Sequence, residues 1–269
     1  MTAVAPLLPL PSDEVEEPDE SLLVTEDDAP VDSILTEKQE RLLTEPLYSS
    51  WTGPPPAEDG AARPFAALAN VGLFSSPEEQ PVVPDMMLSL DVTIPTEQSE
   101  KKNRSYFVWR YGKPPEVVVE IVSNREGGEL GERLRRYRRM RVAYYVVFDP
   151  LHALGDATLR TFELRGSLYV ALDRPWFESV GLGLVEWEGT FEGMPGRWLR
   201  WRTRAGDLVP TGAERAEREQ ARAEREQARA ESAEARAESE KVRAESAEAR
   251  ARRLAARLRE LGVDPDGDG

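Results

Sequence analysis

The chain predicts an α/β domain, a mixed sheet flanked by helices, followed by a long C-terminal helix. Three observations carry that reading. An apolar β-branched run, Val117 to Val122, is followed by a helical stripe with Leu130, Leu134 and Tyr137 at i, i+4 and i+7. A second apolar run, Val142 to Phe148, comes next. Strand, helix and strand in that order favour a right-handed parallel crossover. Finally, from Glu217 the sequence repeats every seven residues (EREQARA, EREQARA, ESAEARA, ESEKVRA, ESAEARA), which means a long helix.

The elements before the crossover are shorter. Residues 1–21 are rich in Pro, Asp and Glu with few large apolar side chains, which reads as a disordered acidic tail. Leu22-Leu23-Val24 reads as a short strand. Thr36 stands as N-cap of a helix to about Tyr48, with Leu35, Leu42 and Leu43 on its apolar face. Trp51-Thr52-Gly53-Pro54-Pro55-Pro56 ends that structure. Phe65 to Phe74 reads as a buried strand, Val82 to Val92 as a second and Ser105 to Trp109 as a short third.

After Asp149-Pro150 come four short strands with turn signals, Thr158–Leu164, Ser167–Leu172, Leu184–Phe191 and Trp198–Thr203. They read as antiparallel additions to the sheet. The expected organisation is thus an acidic tail at 1–21, a globular domain at 22–212, a heptad-repeat helix at 213–261 and a disordered tail at 262–269.

Composition narrows the chemistry. There is no Cys among the 269 residues, so disulfides, thiolate metal sites and Cys nucleophiles are excluded. With one His, His152, a Ser-His-Asp or multi-His site has too few members within one chain, and His152 reads as a loop residue. Nowhere do about eighteen apolar residues run together, and the N-terminus lacks a basic region before its apolar stretch. The expectation is a cytoplasmic protein without membrane association.

The formal charge is −15, but residues 1–60 hold fifteen acids and two bases, so this segment carries most of the excess. Glu132-Arg133-Leu134-Arg135-Arg136-Tyr137-Arg138-Arg139-Met140-Arg141 is locally basic instead, as a phosphate-facing surface is. Net charge therefore does not exclude nucleic acid.

The motif that carries chemistry is Pro84-Asp85 followed by Glu120-Ile121-Val122-Ser123 at the end of an apolar run. Two carboxylates, one entering a strand and one ending the next, suit a hard divalent cation of the kind that catalyses phosphodiester hydrolysis. As a bare pattern, strand-edge acids facing water are the alternative.

With the basic segment and Val142-Ala143-Tyr144-Tyr145-Val146-Val147-Phe148-Asp149-Pro150, these residues give an order that resembles the Uma-type restriction endonuclease family. That family is a branch of the PD-(D/E)xK nuclease superfamily. The resemblance covers about residues 22–212 and implies a restriction-endonuclease-like fold. It further implies Asp85 and Glu120 as metal carboxylates, the Ile121 carbonyl as a further ligand, Mg²⁺ or Mn²⁺ as cofactor and DNA as partner.

One departure matters. The superfamily's Lys stands two residues after the Glu, where this chain has Val122. In this branch it has moved to the following helix, and the matching position is Arg133. Arg holds charge near a phosphate but does not deprotonate water, since its pKa exceeds about 12. The expected catalytic residues are thus Asp85, Glu120 and Arg133 of an Mg²⁺-dependent endonuclease. The rival reading is a catalytically silent nuclease-fold DNA-binding or assembly protein that oligomerises through its C-terminal helix.

Other positions have plainer readings. Glu37 is placed where such nucleases sometimes supply an extra acid but reads as a solvated helix acid. Asp91 reads equally as a strand end, Ser123 and Asn124 as a turn cap, and Tyr144 and Tyr145 as sheet residues. In the heptads, one core position is Ala223, Ala230, Ala237, Ala244, Ala251 and Leu258. The other is Glu219, Glu226, Ala233, Glu240, Ala247, Leu254 and Leu261. Ala and Glu bury little, so homo-oligomer contacts are expected only near Leu254, Leu258 and Leu261.

Overall fold

The computed structural model describes residues 33–57, 60–97, 99–123 and 128–260. The expected acidic tail at 1–21, the strand at Leu22-Leu23-Val24, Asn124, Leu261 and the terminal tail lie outside the described residues. Contacts divide the chain into two compact units, residues 1–212 and 213–269.

In the first unit α1 (Ile34–Ser49) is capped by Ser33, whose hydroxyl accepts from the Thr36 amide at 3.1 Å, and not by Thr36. The cap lies three residues earlier than expected because Ser33 already supplies the oxygen that the first free amides need. Leu42, Leu43 and Leu47 form its buried face, while Leu35 is only half-buried.

The expected strand from Phe65 to Phe74 is two, β1 (Phe65–Ala69) and β2 (Leu73–Phe74). Asn70 breaks it with a left-handed backbone at φ 53°, a conformation Asn tolerates better than most residues. Then follow β3 (Met86–Leu90), β4 (Tyr106–Phe107), the single helical turn α2 (Val108–Tyr111) and β5 (Val117–Ile121). The expected strand at 105–109 is thus cut short as the chain turns helical at Val108.

The helix expected from Glu129 starts with a π turn, Glu129–Arg133, and continues as α3 (Leu134–Arg139). A wider turn holds an extra residue, so the predicted stripe slips. Leu130 turns outward, 42% exposed, while Glu129 turns inward. Tyr137 stays buried on the inner face.

β6 (Tyr144–Phe148) pairs with β5 in parallel, as the strand, helix and strand order requires. β7 (Leu159–Arg165) and β8 (Leu168–Ala171) extend the sheet antiparallel. Its order is β1-β3-β5-β6-β7-β8.

The remaining strands, β9 (Trp176–Phe177), β10 (Leu182–Phe191) and β11 (Met194–Arg202), form a separate three-stranded sheet and are not additions to the first. A tight turn through Glu192 and Gly193, both at positive φ, joins β10 to β11. Alternating apolar residues identify a strand but not its neighbour, which is why the sequence placed them in one sheet.

The main sheet buries both faces. Met86, Leu88, Val117, Val119, Ile121, Val146 and Phe148 pack with α1 and the second sheet through Leu43, Leu47, Leu184 and Trp201. Gln39 ties α1 to β11, since its amide donates to the Leu199 carbonyl and accepts from the Leu199 amide, both at 2.8 Å. Trp201 Nε1 donates to the Leu43 carbonyl at 2.7 Å. The other face holds Met87, Val118, Tyr145 and Val147 under Tyr137 of α3.

The helix α4 (Gly212–Glu260), all but its first residue in the second unit, runs for 49 residues with no buried residue. Arg222 pairs with Glu226 at 3.0 Å and Arg252 with Glu248 at 3.4 Å, the i, i+4 spacing that supports a solvated helix. Leu254 is 64% exposed. Among the described residues no helix is long and apolar enough to cross a membrane.

Candidate active site

β3 and β5 run antiparallel with Met86 opposite Val119, so Asp85, one residue before β3, falls opposite Glu120. Side chains alternate along a strand. Met86 and Leu88 face α1, so Met87 and Asp85 face α3, and by the same count Val118 and Glu120 do too. Pairing register alone therefore puts two carboxylates that are distant in sequence on one face.

Arg133 and Tyr137 are four apart in the chain, across the junction of the π turn and α3, and meet Glu120 from above. Arg133 Nη1 is ion-paired with Glu120 Oε2, and the Tyr137 hydroxyl donates to Glu120 Oε1. The Ile121 amide donates to Asp85 Oδ2, which holds that carboxylate against the end of β5. Asp85, Glu120, Ile121 and Arg133 are thus brought together.

Electrostatics are strained in a definite direction. Glu120 is fully enclosed, and burial pushes its carboxyl up to about 8, with the neighbouring Asp85 charge as the next cause. The Arg133 guanidinium and the Tyr137 hydroxyl favour the ionised form but only partly offset this. Burial works against the Arg133 charge, yet Glu120, Tyr137 and Asp85 outweigh it and hold its pKa above the usual value. Tyr137 and Tyr145 are both raised, first by burial and then by Glu120, so both phenols stay protonated and donate.

Other candidates lie elsewhere. Glu37 is exposed and pairs with Arg41. Asp91 sits at the far end of β3 and pairs with Arg63 at 2.6 Å. Asp149 is buried and accepts from the amides of Ala153 and Leu154 at 2.8 and 2.7 Å, which organises the loop after β6. His152 is a loop residue at φ 56°, in polar contact with Arg197 at 3.5 Å. Ser123 is exposed, while Tyr144 and Tyr145 are buried in the sheet. From the basic cluster Arg136 bonds the Gln80 carbonyl and Arg141 the Gly166 carbonyl, and Arg135 and Arg139 face solvent.

Two acids escaped the sequence reading. Glu40 is buried on α1, and both its oxygens accept from Asn70 Nδ2, at 3.0 and 2.9 Å. The Asn70 amide in turn donates to the Asp85 carbonyl at 3.4 Å, which links α1 to the Asp85 turn. Its signal was an acid on the same stripe as Leu43 and Leu47. Glu129 is buried beside the Glu120 cluster, and only the π turn reveals that it faces inward.

A mixed sheet with acids at the ends of two neighbouring strands and a basic helix over them defines a restriction-endonuclease-like protein. The model of the Uma2 family, described as "Putative restriction endonuclease", matches residues 10–188, and the chain belongs to that family. The match ends within β10 and leaves β11 and α4 outside it. Searches of the curated proteins and of the solved structures found no match.

Proposed function

We propose that this chain is an endonuclease that hydrolyses DNA phosphodiester bonds with Mg²⁺ or Mn²⁺. The observation that carries this reading is the meeting of Asp85 and Glu120 on one face of the central sheet, with Arg133 against Glu120.

The donor chemistry fits such an ion. Among the described residues no group of three or more His, Cys, Asp or Glu side chains is placed to hold a metal. Two carboxylates, with the main-chain oxygen of Ile121, are a sparse set of hard ligands, and Mg²⁺ binds through one or two carboxylates while keeping several waters. Burial raises Glu120 first and the Asp85 charge next, and a cation relieves the second of these. When bound, the ion neutralises charge developing on the phosphoryl group and eases deprotonation of water.

The chain's own groups do the rest. Asp85 is anchored by the Ile121 amide and Glu120 by Tyr137, which fixes the position of both carboxylates. Both contacts Arg133 makes to Glu120 and to the Val83 carbonyl use Nη1, which leaves Nη2 and Nε as the donors that would bind a phosphate oxygen of the substrate. The exposed Arg135 and Arg139 add positive field beside it.

The same ion pair favours a second reading, a DNA-binding or assembly protein without catalysis. Both oxygens of Glu120 are engaged, and among the described residues no Lys contacts them. Incubating plasmid DNA with the protein and Mg²⁺ or Mn²⁺ separates the two. Cleavage abolished by EDTA and by Asp85→Asn supports the enzyme. DNA retention without cleavage at any metal concentration supports the silent protein.

A further inference from the structure

Glu129 is more than nine-tenths buried, yet its Oε2 has no hydrogen-bond partner among the described residues. Folded proteins satisfy nearly all such atoms, and an exception asks for a ligand or a role. Its backbone is fixed on both sides. Gly128 precedes it in a left-handed conformation at φ 66°, which a Cβ would strain, and the π turn starts at Glu129 itself. The Tyr145 hydroxyl donates to the Glu129 carbonyl at 2.9 Å. Tyr145 packs on Tyr137 with ring centroids 5.1 Å apart, and Tyr137 holds Glu120.

The backbone of Glu129 is therefore clamped into the Glu120 cluster while its buried Oε2 is left without a hydrogen-bond partner among the described residues. Its charge is felt by both Glu120 and Tyr145. Arg133 does not accept a proton at neutral pH, so the nuclease reading lacks a side-chain base at the position where the superfamily has Lys.

We propose that Glu129 is a further catalytic residue, the base that takes the proton from the attacking water. This rests on the hydrolytic reading above. The water oxygen bonds to phosphorus, its proton passes to the unpartnered Oε2 of Glu129, the bond to the leaving sugar oxygen breaks, and that oxygen is protonated from solvent. A carboxylate kept unpaired for this step contributes nothing to stability, which separates it from a structural acid.

Glu129→Gln keeps the shape and removes the base. Cleavage of plasmid DNA in Mn²⁺ should fall by about 100-fold or more. The thermal midpoint should stay level or rise, Mn²⁺ affinity should stay within about twofold, and Glu129→Asp should retain part of the activity. Undiminished cleavage by Glu129→Gln overturns the proposal, as does a loss that follows a lowered thermal midpoint or a lost Mn²⁺ affinity. In either case wild-type cleavage leaves the nuclease reading standing. A wild-type protein that does not cleave overturns that reading, and the role of Glu129 with it.

Discussion

Arg133 Nη1 rests on Oε2 of Glu120, a pair in which the glutamate side chain is 2% exposed and the arginine side chain 35%. The buried partner depends on the half-exposed one for its charge balance, and only the half-exposed one reaches solvent. This single contact therefore links the stability of the site to its proposed chemistry.

Loss of Arg133 should be specific. Arg133→Ala is expected to reduce Mg²⁺-dependent cleavage at least about tenfold more than Arg139→Ala, because Arg139 is a solvent-facing charge without a contact to Glu120. Arg133→Lys should retain or raise activity by placing a titratable amine there. Parallel initial rates on one plasmid check this, and equal losses at both arginines indicate a diffuse basic surface.

Glu120 makes the metal-free protein sensitive to pH. Its folded-state pKa is raised to about 8 from 4.5, so between those values the folded state binds more protons than the unfolded state. Stability should therefore fall as pH rises through that window and level off above it, by at most about 1.4 kcal/mol per pH unit. Glu120→Gln should flatten the slope. Urea midpoints from pH 5 to 9 read both effects, and identical slopes in the two proteins contradict the assignment.

Tyr137→Phe removes the hydroxyl from Glu120 Oε1 and keeps the ring against Tyr145. We expect a loss of about 1–3 kcal/mol, the range for a buried group deprived of its partner. Chemical denaturation at pH 9, where Glu120 is ionised, should show the larger loss and pH 5 the smaller.

Much of this was legible in the sequence, for local reasons. The runs Val117–Val122 and Val142–Phe148 with a helix between them fix a parallel pair, because that crossover has one hand and few alternatives. Asp85 and Glu120 stand at strand ends, so a two-residue alternation places them once the register is known. What escaped depends on non-local or irregular features. The π turn exchanges Leu130 for Glu129, and no residue type announces such a turn. Glu40 is buried through Asn70, thirty residues away in the chain. The runs of β10 and β11 identify strands, but only their pairing with each other and with β9, not with β8, puts them in a second sheet.

The tail gives the next expectation. We propose that residues 213–261 form an independent helix that associates weakly, through Leu254, Leu258 and Leu261, each worth roughly 1.5–3 kcal/mol if fully buried. Truncation after Gly212 should leave the main thermal transition unchanged and lower any oligomeric mass seen by light scattering. An insoluble truncated protein contradicts this.

The most direct test of the central claim is a calorimetric titration of Mn²⁺ into the wild-type protein, Asp85→Asn and Glu120→Gln. Each substitution removes a negative oxygen from the proposed site while keeping its size. The account predicts saturable binding to the wild type that both variants weaken strongly. Equal affinity in all three proteins would show that the meeting of Asp85 and Glu120 is not a metal site.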